Sequence, residues 1–271
     1  MEKKFAYNLS KAVCFTLERK KIDGGFGATP KLPATLEDTF HALRILEAVE
    51  RYCGLSKDVK FDKNLHSDFL LRFIEKRPNL GMKSAFQLIW CMKRCSLSAK
   101  AQKFAKKHYL SLRPQSTVGL YYALNISKLL DLTPPFRYSR EELSKIVTFK
   151  GILFRRWMAI FIDKMTGGRL IDQNKAAIWI SKCQNYDGGY GFLPGSTSYL
   201  ENTHFALHAL EFLNERPHDR ENITRFVIGC QTKKGGFSRR ADAAPFLDAT
   251  WHGVASLILI TDNNDLLRLA P

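Results

Sequence analysis

The segment Asp187-Gly-Gly-Tyr-Gly-Phe-Leu-Pro-Gly-Ser-Thr-Ser-Tyr-Leu-Glu-Asn-Thr203 joins a paired-glycine turn to a later acid and a later threonine. Two other segments have the same arrangement: Asp23-Gly-Gly-Phe-Gly-Ala-Thr-Pro-Lys-Leu-Pro-Ala-Thr-Leu-Glu-Asp-Thr39 and Lys234-Gly-Gly-Phe-Ser-Arg-Arg-Ala-Asp-Ala-Ala-Pro-Phe-Leu-Asp-Ala-Thr250. In every copy the second glycine stands 12 residues before the acid and 14 before the threonine, and a leucine precedes the acid. Such constant spacing identifies an internal repeat.

Helical patterns fill the chain between the first copy and the last two. Apolar residues recur at helical spacing in six segments, at 65–74, 85–95, 101–110, 118–130, 140–147 and 152–165. From Gly25 to Gly189 is 164 residues, which four intervals of about 41 residues would fill. We therefore predict six helical hairpins, with twelve helices in all and almost no strand.

The repeats predict one all-α domain over residues 1–271. A stack of six hairpins can stay open as a solenoid. The near-uniformly apolar second helix of each hairpin instead favours a closed inner ring, which makes the fold an α6/α6 toroid. We expect such a ring to enclose a central cavity that holds a long apolar ligand.

The motifs carry a family resemblance. The Gly-Gly-Phe/Tyr turn, the Leu-acid-x-Thr after it and the glutamine before it (Gln184 and Gln231) resemble the repeats of protein prenyltransferase β subunits and class II terpene cyclases. The resemblance is specific in repeats one, five and six and architectural in the middle three. It implies a toroid whose aromatic funnel holds an isoprenoid, and a helical partner subunit. Two functions stay open, an isoprenyl-transfer or cyclisation enzyme and a non-catalytic lipid-binding or protein-interaction scaffold.

The chain departs from the catalytic motifs of both groups. The prenyltransferases that it resembles hold a zinc ion with an Asp-x-Cys pair and a late histidine, and the zinc ion activates the substrate thiol. Glu201, Thr203 and Ala249 occupy those positions here. Of the cyclases' proton-donating D-x-D-D-T motif, only Asp248 and Thr250 remain. Asp248 is therefore the acid that we expect to act if the chain is catalytic, which requires that it stay protonated.

Four side chains on two inner helices are predicted to converge. Glu37 and His41 are four residues apart, as are Asp248 and His252, so each pair shares a helix face. In a closed ring, repeats one and six are neighbours, and Glu201 of repeat five could join them. These residues would suit an acid–base site or a divalent metal. The alternative is a set of ordinary helix-end acids with histidines on the same helix.

The acids also have a structural interpretation. Each stands in the first turn of its helix, where the helix dipole favours negative charge. Ser198-x-x-Glu201 and Thr35-x-x-Asp38 match the capping-box pattern. The aromatic residue of each turn is expected to fill the gap between hairpins.

Candidate ligand-binding residues come from two classes. Aromatic residues on the inner helices are predicted to contact the apolar ligand, and basic residues near inner-helix starts are predicted to bind a diphosphate; they are Tyr121, Trp157 and Trp251, and Lys31, Arg155 and Arg156. His204 and His208 are also four residues apart, but nothing near them in the sequence completes a site, so we predict ordinary core or surface positions.

The composition limits the partners. The chain has 42 Lys and Arg against 26 Asp and Glu, a formal net charge of +16. A basic surface can attract nucleic acid, an anionic membrane face or a polyanionic ligand, but the sequence has no nucleic-acid reader motif. We expect no transmembrane segment and no signal peptide, and the six scattered cysteines favour the cytoplasm.

Overall fold

The computed structural model describes residues 4–54, 63–77, 79–110, 112–134 and 136–261. Within these ranges the chain forms twelve α-helices, and its β structure is confined to isolated bridges in the turns. Six helices form an inner ring: α2 (Leu36–Cys53), α4 (Met82–Arg94), α6 (Thr117–Leu129), α8 (Leu153–Met165), α10 (Leu200–Phe212) and α12 (Leu247–Ile260).

The other six helices alternate with these along the chain. They are α1 (Ala6–Leu17), α3 (Lys63–Lys76), α5 (Ser98–His108), α7 (Arg140–Ile146), α9 (Gln173–Ser181) and α11 (Arg220–Gly229). The six helices predicted from apolar spacing are confirmed, each to within three residues at either end. Each of these helices buries an apolar face against its neighbours, so the helical spacing of apolar residues in the sequence was sufficient to locate the helices.

The inner ring is closed. Each inner helix packs against the next, from α2 through α4, α6, α8 and α10 to α12, and α12 packs back against α2. The predicted α6/α6 toroid is therefore confirmed.

The first glycine of each repeated turn shows how neighbouring hairpins dock. Gly24, Gly188 and Gly235 all have a positive φ, between 88° and 91°, which favours glycine. A Cβ at Gly24 would overlap the backbone of Leu65 on the next outer helix, and one at Gly235 would overlap the backbone of Lys11 on α1. The glycine turn before α12 therefore packs on α1 in the same way as the glycine turn before α2 packs on α3.

The threonine of each repeat ties the turn to its inner helix. Its hydroxyl accepts a hydrogen bond from the backbone N–H of the turn aromatic and donates to the carbonyl four residues back in the helix. For Thr250 the partners are Phe237 N at 3.0 Å and Phe246 O at 2.7 Å. Thr39 and Thr203 do the same. The constant spacing of 14 residues between the second glycine and the threonine places the hydroxyl within reach of this N–H. The turn aromatics are buried, as predicted.

One predicted capping box is half formed, because the Asp38 carboxylate accepts from the Thr35 hydroxyl while the Thr35 N–H donates to Phe26 O, and the other is absent. The Thr35 hydroxyl accepts from Asp38 N at 3.0 Å at the start of α2. Ser198 does not cap α10, because Tyr199 takes the N-cap position and makes no side-chain cap bond. The Ser198 hydroxyl donates instead to the Asp187 carboxylate, at 2.8 Å, inside the turn.

Aromatic side chains line the inside of the ring. Ring-to-ring contacts run from helix to helix around all six, through Phe40–Phe86, Phe86–Tyr122, Tyr121–Trp157, Trp157–Phe205, Phe205–His252 and His252–His41. Tyr121 and Trp157 are each only 3% exposed. Closely packed aromatic side chains therefore line the inside of the ring, and an open space lies at one end of the ring rather than through it.

Candidate functional site

The open space is a cleft of about 1060 Å³ at the end of the ring where the inner helices begin. We call this end the mouth. Contacts between the starts of α2 and α4 and between the starts of α10 and α12 place these N-termini side by side. The cleft is lined by Asp23, Pro33, Ala34, Thr35, Leu36, Glu37, Asp38, His41, Phe69, Arg72, Phe73, Lys76, Arg77, Leu80, Lys83, Ser84, Gln87, Arg239, Phe246 and Asp248.

The three repeat acids lie at the mouth, and each has a basic neighbour. Glu37 forms an ion pair with Lys83 at 2.7 Å. Arg239 lies between the other two, 3.1 Å from Asp248 and 3.9 Å from Glu201. The Asp248 carboxylate is therefore held in an ion pair with Arg239.

Glu201 differs from the other two acids because it is more buried. Its Oε2 atom is buried without a hydrogen-bond partner. Burial raises the pKa of Glu201, while a backbone hydrogen bond and Arg239 lower it and Asp248 raises it further. This carboxyl therefore retains its proton more readily than an exposed glutamate.

The histidines converge more fully than the sequence predicts. The rings of His41 and His252 lie 6.5 Å apart, so repeats one and six do meet. His204 and His208, which the sequence placed as ordinary core or surface residues, belong to the same cluster. Nδ1 of His204 is 2.9 Å from Nδ1 of His252, and the ring of His208 stacks on Trp157 at 5.5 Å.

The histidine cluster is held in the neutral form. Burial, the largest cause, lowers the pKa of His208 and of His252 to about 3 each, and Asp248 opposes the shift only at His252. The pKa values of His41 and His204 are lowered as well, first by burial and then by His252. Neutral imidazoles at pH 7 can accept or donate a proton within the cluster but carry no charge.

The predicted aromatic ligand contacts lie deeper than the cleft. Tyr121 and Trp157 touch each other, with ring centroids 5.0 Å apart, and Trp251 is covered by the guanidinium of Arg44, whose Cζ is 3.8 Å from the ring. All three aromatic residues are buried. None of the three is among the residues that line the cleft.

The basic residues predicted from the sequence lie outside the cleft. Lys31 and Arg155 are exposed in or near loops at the mouth end, and Arg156 stacks on Trp179 of α9 at 3.8 Å. The cleft instead takes its cations from α3, the segment after it and the loop before α12; besides Lys83 they are Arg72, Lys76, Arg77 and Arg239. No local motif distinguishes those on α3, because the glycine signature is absent from that repeat.

The donor atoms present do not fit zinc. At the positions that correspond to the zinc ligands of the resembling prenyltransferases, the Thr203 hydroxyl is bound to backbone atoms and Ala249 has no donor. Across the ranges that the structure describes, no three His, Cys, Asp or Glu side chains are arranged to hold a metal ion. The Glu37, His41, Asp248 and His252 set therefore meets without forming such a site.

Comparison with known proteins gives two matches. The family described as "Prenyltransferase alpha-alpha toroid domain" matches residues 1–87, 155–214 and 195–270. A segment of 95 residues is 30% identical to the geranylgeranyl transferase type-2 subunit beta of Candida albicans, covering 33% of this chain and 28% of that protein. Among the helices that the structure describes, none has both the length and the hydrophobicity that a membrane crossing demands.

Proposed function

The chain belongs to the prenyltransferase α/α toroid family, and on that premise we propose that it binds an isoprenoid diphosphate in the mouth cleft, as a β-type subunit. The supporting observation is the mixed lining of the cleft. Phe69, Phe73, Leu80 and Phe246 supply apolar surface, and five cations stand beside them. An isoprenoid diphosphate has the matching two parts, a long hydrocarbon chain and a polyanionic head.

Three of the cleft cations keep donors for an anion; Arg72 uses one of its own, Nη2, to donate to the Asp23 backbone oxygen. Lys83 and Arg239 are engaged by Glu37 and Asp248. Arg72, Lys76 and Arg77, by contrast, have no carboxylate partner in the described part of the chain. Arginine suits phosphate because its planar guanidinium donates two parallel hydrogen bonds. We therefore place the diphosphate near α3 and the hydrocarbon chain along Phe69 and Phe73.

Direct binding measurements test this placement. Farnesyl and geranylgeranyl diphosphate would be titrated into the protein by calorimetry, with Arg72→Met/Arg77→Met as the variant. Loss of two charge-assisted contacts should weaken binding about tenfold or more. Arg155→Met, which changes an exposed arginine at another inner-helix start, is the matched control. Unchanged affinity in the double variant with reduced affinity in Arg155→Met would move the diphosphate site to Arg155 and Arg156, and no binding at all would reject the proposal.

A second candidate is catalysis of isoprenyl transfer or cyclisation by a carboxylic acid at the mouth. The observation that favours it is the raised pKa of Glu201, whose buried Oε2 has no partner. Asp248, with His252 as neighbour, remains the acid proposed from the sequence, and Glu37 with His41 is the related pair in repeat one. Glu201 has the environment of a proton donor, whereas Asp248 faces Arg239.

Labelled diphosphates separate the two acids. Geranyl, farnesyl and geranylgeranyl diphosphates would be incubated with the protein, with Asp248→Asn and with Glu201→Gln, and the products resolved by chromatography. Turnover that disappears in one variant and persists in the other would identify the acid. Turnover equal in all three proteins would reject both, and binding without turnover would leave the scaffold function.

The partner predicted from the resemblance is retained as part of this proposal. The relative in Candida albicans is named a β subunit. At the mouth end of this chain the turn residues Ile22 and Tyr186 are fully exposed, at 98% and 106%. We propose that a helical partner subunit covers them. Ile22→Asp/Tyr186→Asp should then weaken association with the cognate α-type subunit, whereas Ile178→Asp, on outer helix α9, should not.

Contact with a membrane surface and a cytoplasmic location also stay predictions. Vesicles of anionic phospholipid provide the comparison for the same variants, because basic and apolar groups together favour such surfaces. Vesicle binding lost in Ile22→Asp/Tyr186→Asp, with subunit association intact, would assign the exposed turns to a membrane instead.

A further inference from the structure

Arg44 is a buried cation at the centre of the ring. It lies on α2, one helical turn below His41, and is 6% exposed. Its guanidinium rests on Trp251, with Cζ 3.8 Å from the ring, and lies 5.1 Å from the ring of Phe40. The Nε and Nη2 atoms are buried and have no hydrogen-bond partner.

No carboxylate neutralises this charge. The nearest acid in its surroundings is Glu47, which is committed to Arg51 and to Arg94, with Arg94 Nε at 3.1 Å. Within the described ranges, Arg44 forms no ion pair with any acid. Burial lowers the pKa of Arg44 to about 9, with smaller opposing effects from Tyr121 and Glu47, so the group is still protonated at pH 7.

The rings that touch the Arg44 guanidinium are uncharged, and the charged groups that act on it are Glu47 and Arg94. The electrostatic effect of the guanidinium reaches His204, His208 and His252, whose pKa values it lowers. Trp157 Nε1 and His208 Nδ1 are buried without partners, and their rings stack on each other. The two unpaired N–H groups of a buried positive charge, Nε and Nη2 of Arg44, with no carboxylate paired to them, form surroundings that suit an anion.

The contacts that are present do not compensate for burying the charge. A desolvated cation–π contact contributes about 2 kcal/mol, whereas burying an unpaired ion costs several kcal/mol even after relaxation. A bound water would satisfy a donor but would leave the charge in place. An anion would accept the hydrogen bonds and also neutralise the charge.

We propose that the centre of the ring binds a small anion, held by the Arg44 guanidinium through its unpaired Nε and Nη2 groups. The close packing of the aromatic side chains restricts the ligand to the size of a halide, a carboxylate or a phosphate. The site is separate from the mouth cleft, since it uses neither Arg72 nor Arg77, and it does not depend on the function proposed above.

Unfolding in different anions tests the site. Urea unfolding would be followed at constant ionic strength in potassium gluconate, whose bulky anion serves as the reference, while chloride, acetate or inorganic phosphate replaces it. For the wild-type protein, the urea midpoint of unfolding should rise to a plateau as the concentration of chloride, acetate or phosphate increases, for at least one of these anions. A response to chloride indicates a halide site, and a response to acetate or phosphate indicates an oxyanion site.

Arg44→Met and Arg77→Met form a matched pair of variants. In Arg44→Met the saturable rise should disappear, and in gluconate this variant should unfold at a higher urea concentration than wild type, because an unpaired buried charge is gone. Arg77→Met, which removes a cleft cation, should keep the wild-type response. The same rise in Arg44→Met, or no saturable rise in wild type, would overturn the proposal.

Diffraction from wild-type crystals soaked in bromide gives a test that needs no variant. An anomalous peak beside the Arg44 guanidinium is the expected result if halides bind. If acetate or phosphate is the anion that raises the unfolding midpoint, crystals grown with that anion should show difference density at the same place. Density restricted to surface positions in both experiments would overturn the assignment.

Discussion

At the scale of single residues, the repeat threonine explains its own spacing. Its hydroxyl satisfies the buried N–H of an aromatic residue 13 positions earlier, at Phe26, Tyr190 and Phe237 alike. A backbone donor in a loop has no helical partner to replace this bond. The threonine of the motif is therefore needed to satisfy a buried backbone N–H, a structural requirement that is independent of any ligand.

Replacement of Thr250 by valine measures that requirement. The change keeps the shape of the side chain but leaves Phe237 N–H buried and unpaired, so the free energy of unfolding should fall by about 1–3 kcal/mol. Thr224→Val is the control, since the Thr224 hydroxyl donates only to Arg220 O at 2.7 Å, within its helix. Equal losses in the two variants, measured by urea unfolding, would show that the link to the turn contributes nothing.

At the scale of helices and turns, ring closure depends on the docking of the last turn onto α1. Gly235 approaches the Lys11 backbone, and the Gln231 side chain donates to Asn8 O at 2.8 Å and accepts from the Asn8 amide at 2.7 Å. These contacts join segments more than 200 residues apart in the chain, as the separation of 223 between Asn8 and Gln231 shows. They close the ring on its outer side.

Gly235→Ala tests how much this docking contributes. The new methyl would combine an unfavourable positive φ, which costs about 1–2 kcal/mol, with a clash against backbone that cannot rotate away. Gly195→Ala has a comparable φ of 77° but opens onto free space. We expect Gly235→Ala to lower the melting temperature clearly more than Gly195→Ala. Similar shifts in calorimetry would mean that α1 moves aside without loss.

At the scale of the whole molecule, the neutral histidine cluster makes stability depend on pH. An unfolded histidine titrates near pH 6.5, whereas the folded pKa of His208 is about 3. As the pH falls below about 6.5, the unfolded chain takes up the proton first, so folding loses about 1.4 kcal/mol per pH unit for each such histidine. The full contribution is present above that pH.

The substitution His208→Phe should flatten this dependence. The aromatic replacement keeps the stack on Trp157 and removes one proton-binding group, which faces Arg44 from α2, Lys128 from α6 and His204 from its own helix. The slope of unfolding free energy between pH 6.5 and 5 should drop by about 1.4 kcal/mol per pH unit. His218→Phe, on the surface, should keep the wild-type slope; an unchanged slope in His208→Phe would mean that this ring is already protonated or hydrated when folded.

The cleft shows which parts of the site are hidden from sequence. Glu37, His41 and Asp248 were predicted to converge, and all three line the cleft. Arg72 and Arg77 were not, because α3 lies in a repeat that has lost its glycine turn. A helix that follows the general pattern gives no sign of which of its basic residues face a cleft and which face solvent.

The twelve helices, the repeated turns and the closed ring followed from the sequence alone, because periodicity, positive-φ glycines and fixed spacings are properties of neighbouring residues. Only the tertiary structure showed the close packing of aromatic side chains inside the ring, the joining of His204 and His208 to the His41–His252 pair, and the isolated charge of Arg44. An interval of four residues fixes what shares a helix face, but the partners across a ring depend on how each helix is rotated and on the size of the side chains opposite. The sequence therefore predicted a wide hollow, whereas the aromatic side chains inside the ring are closely packed.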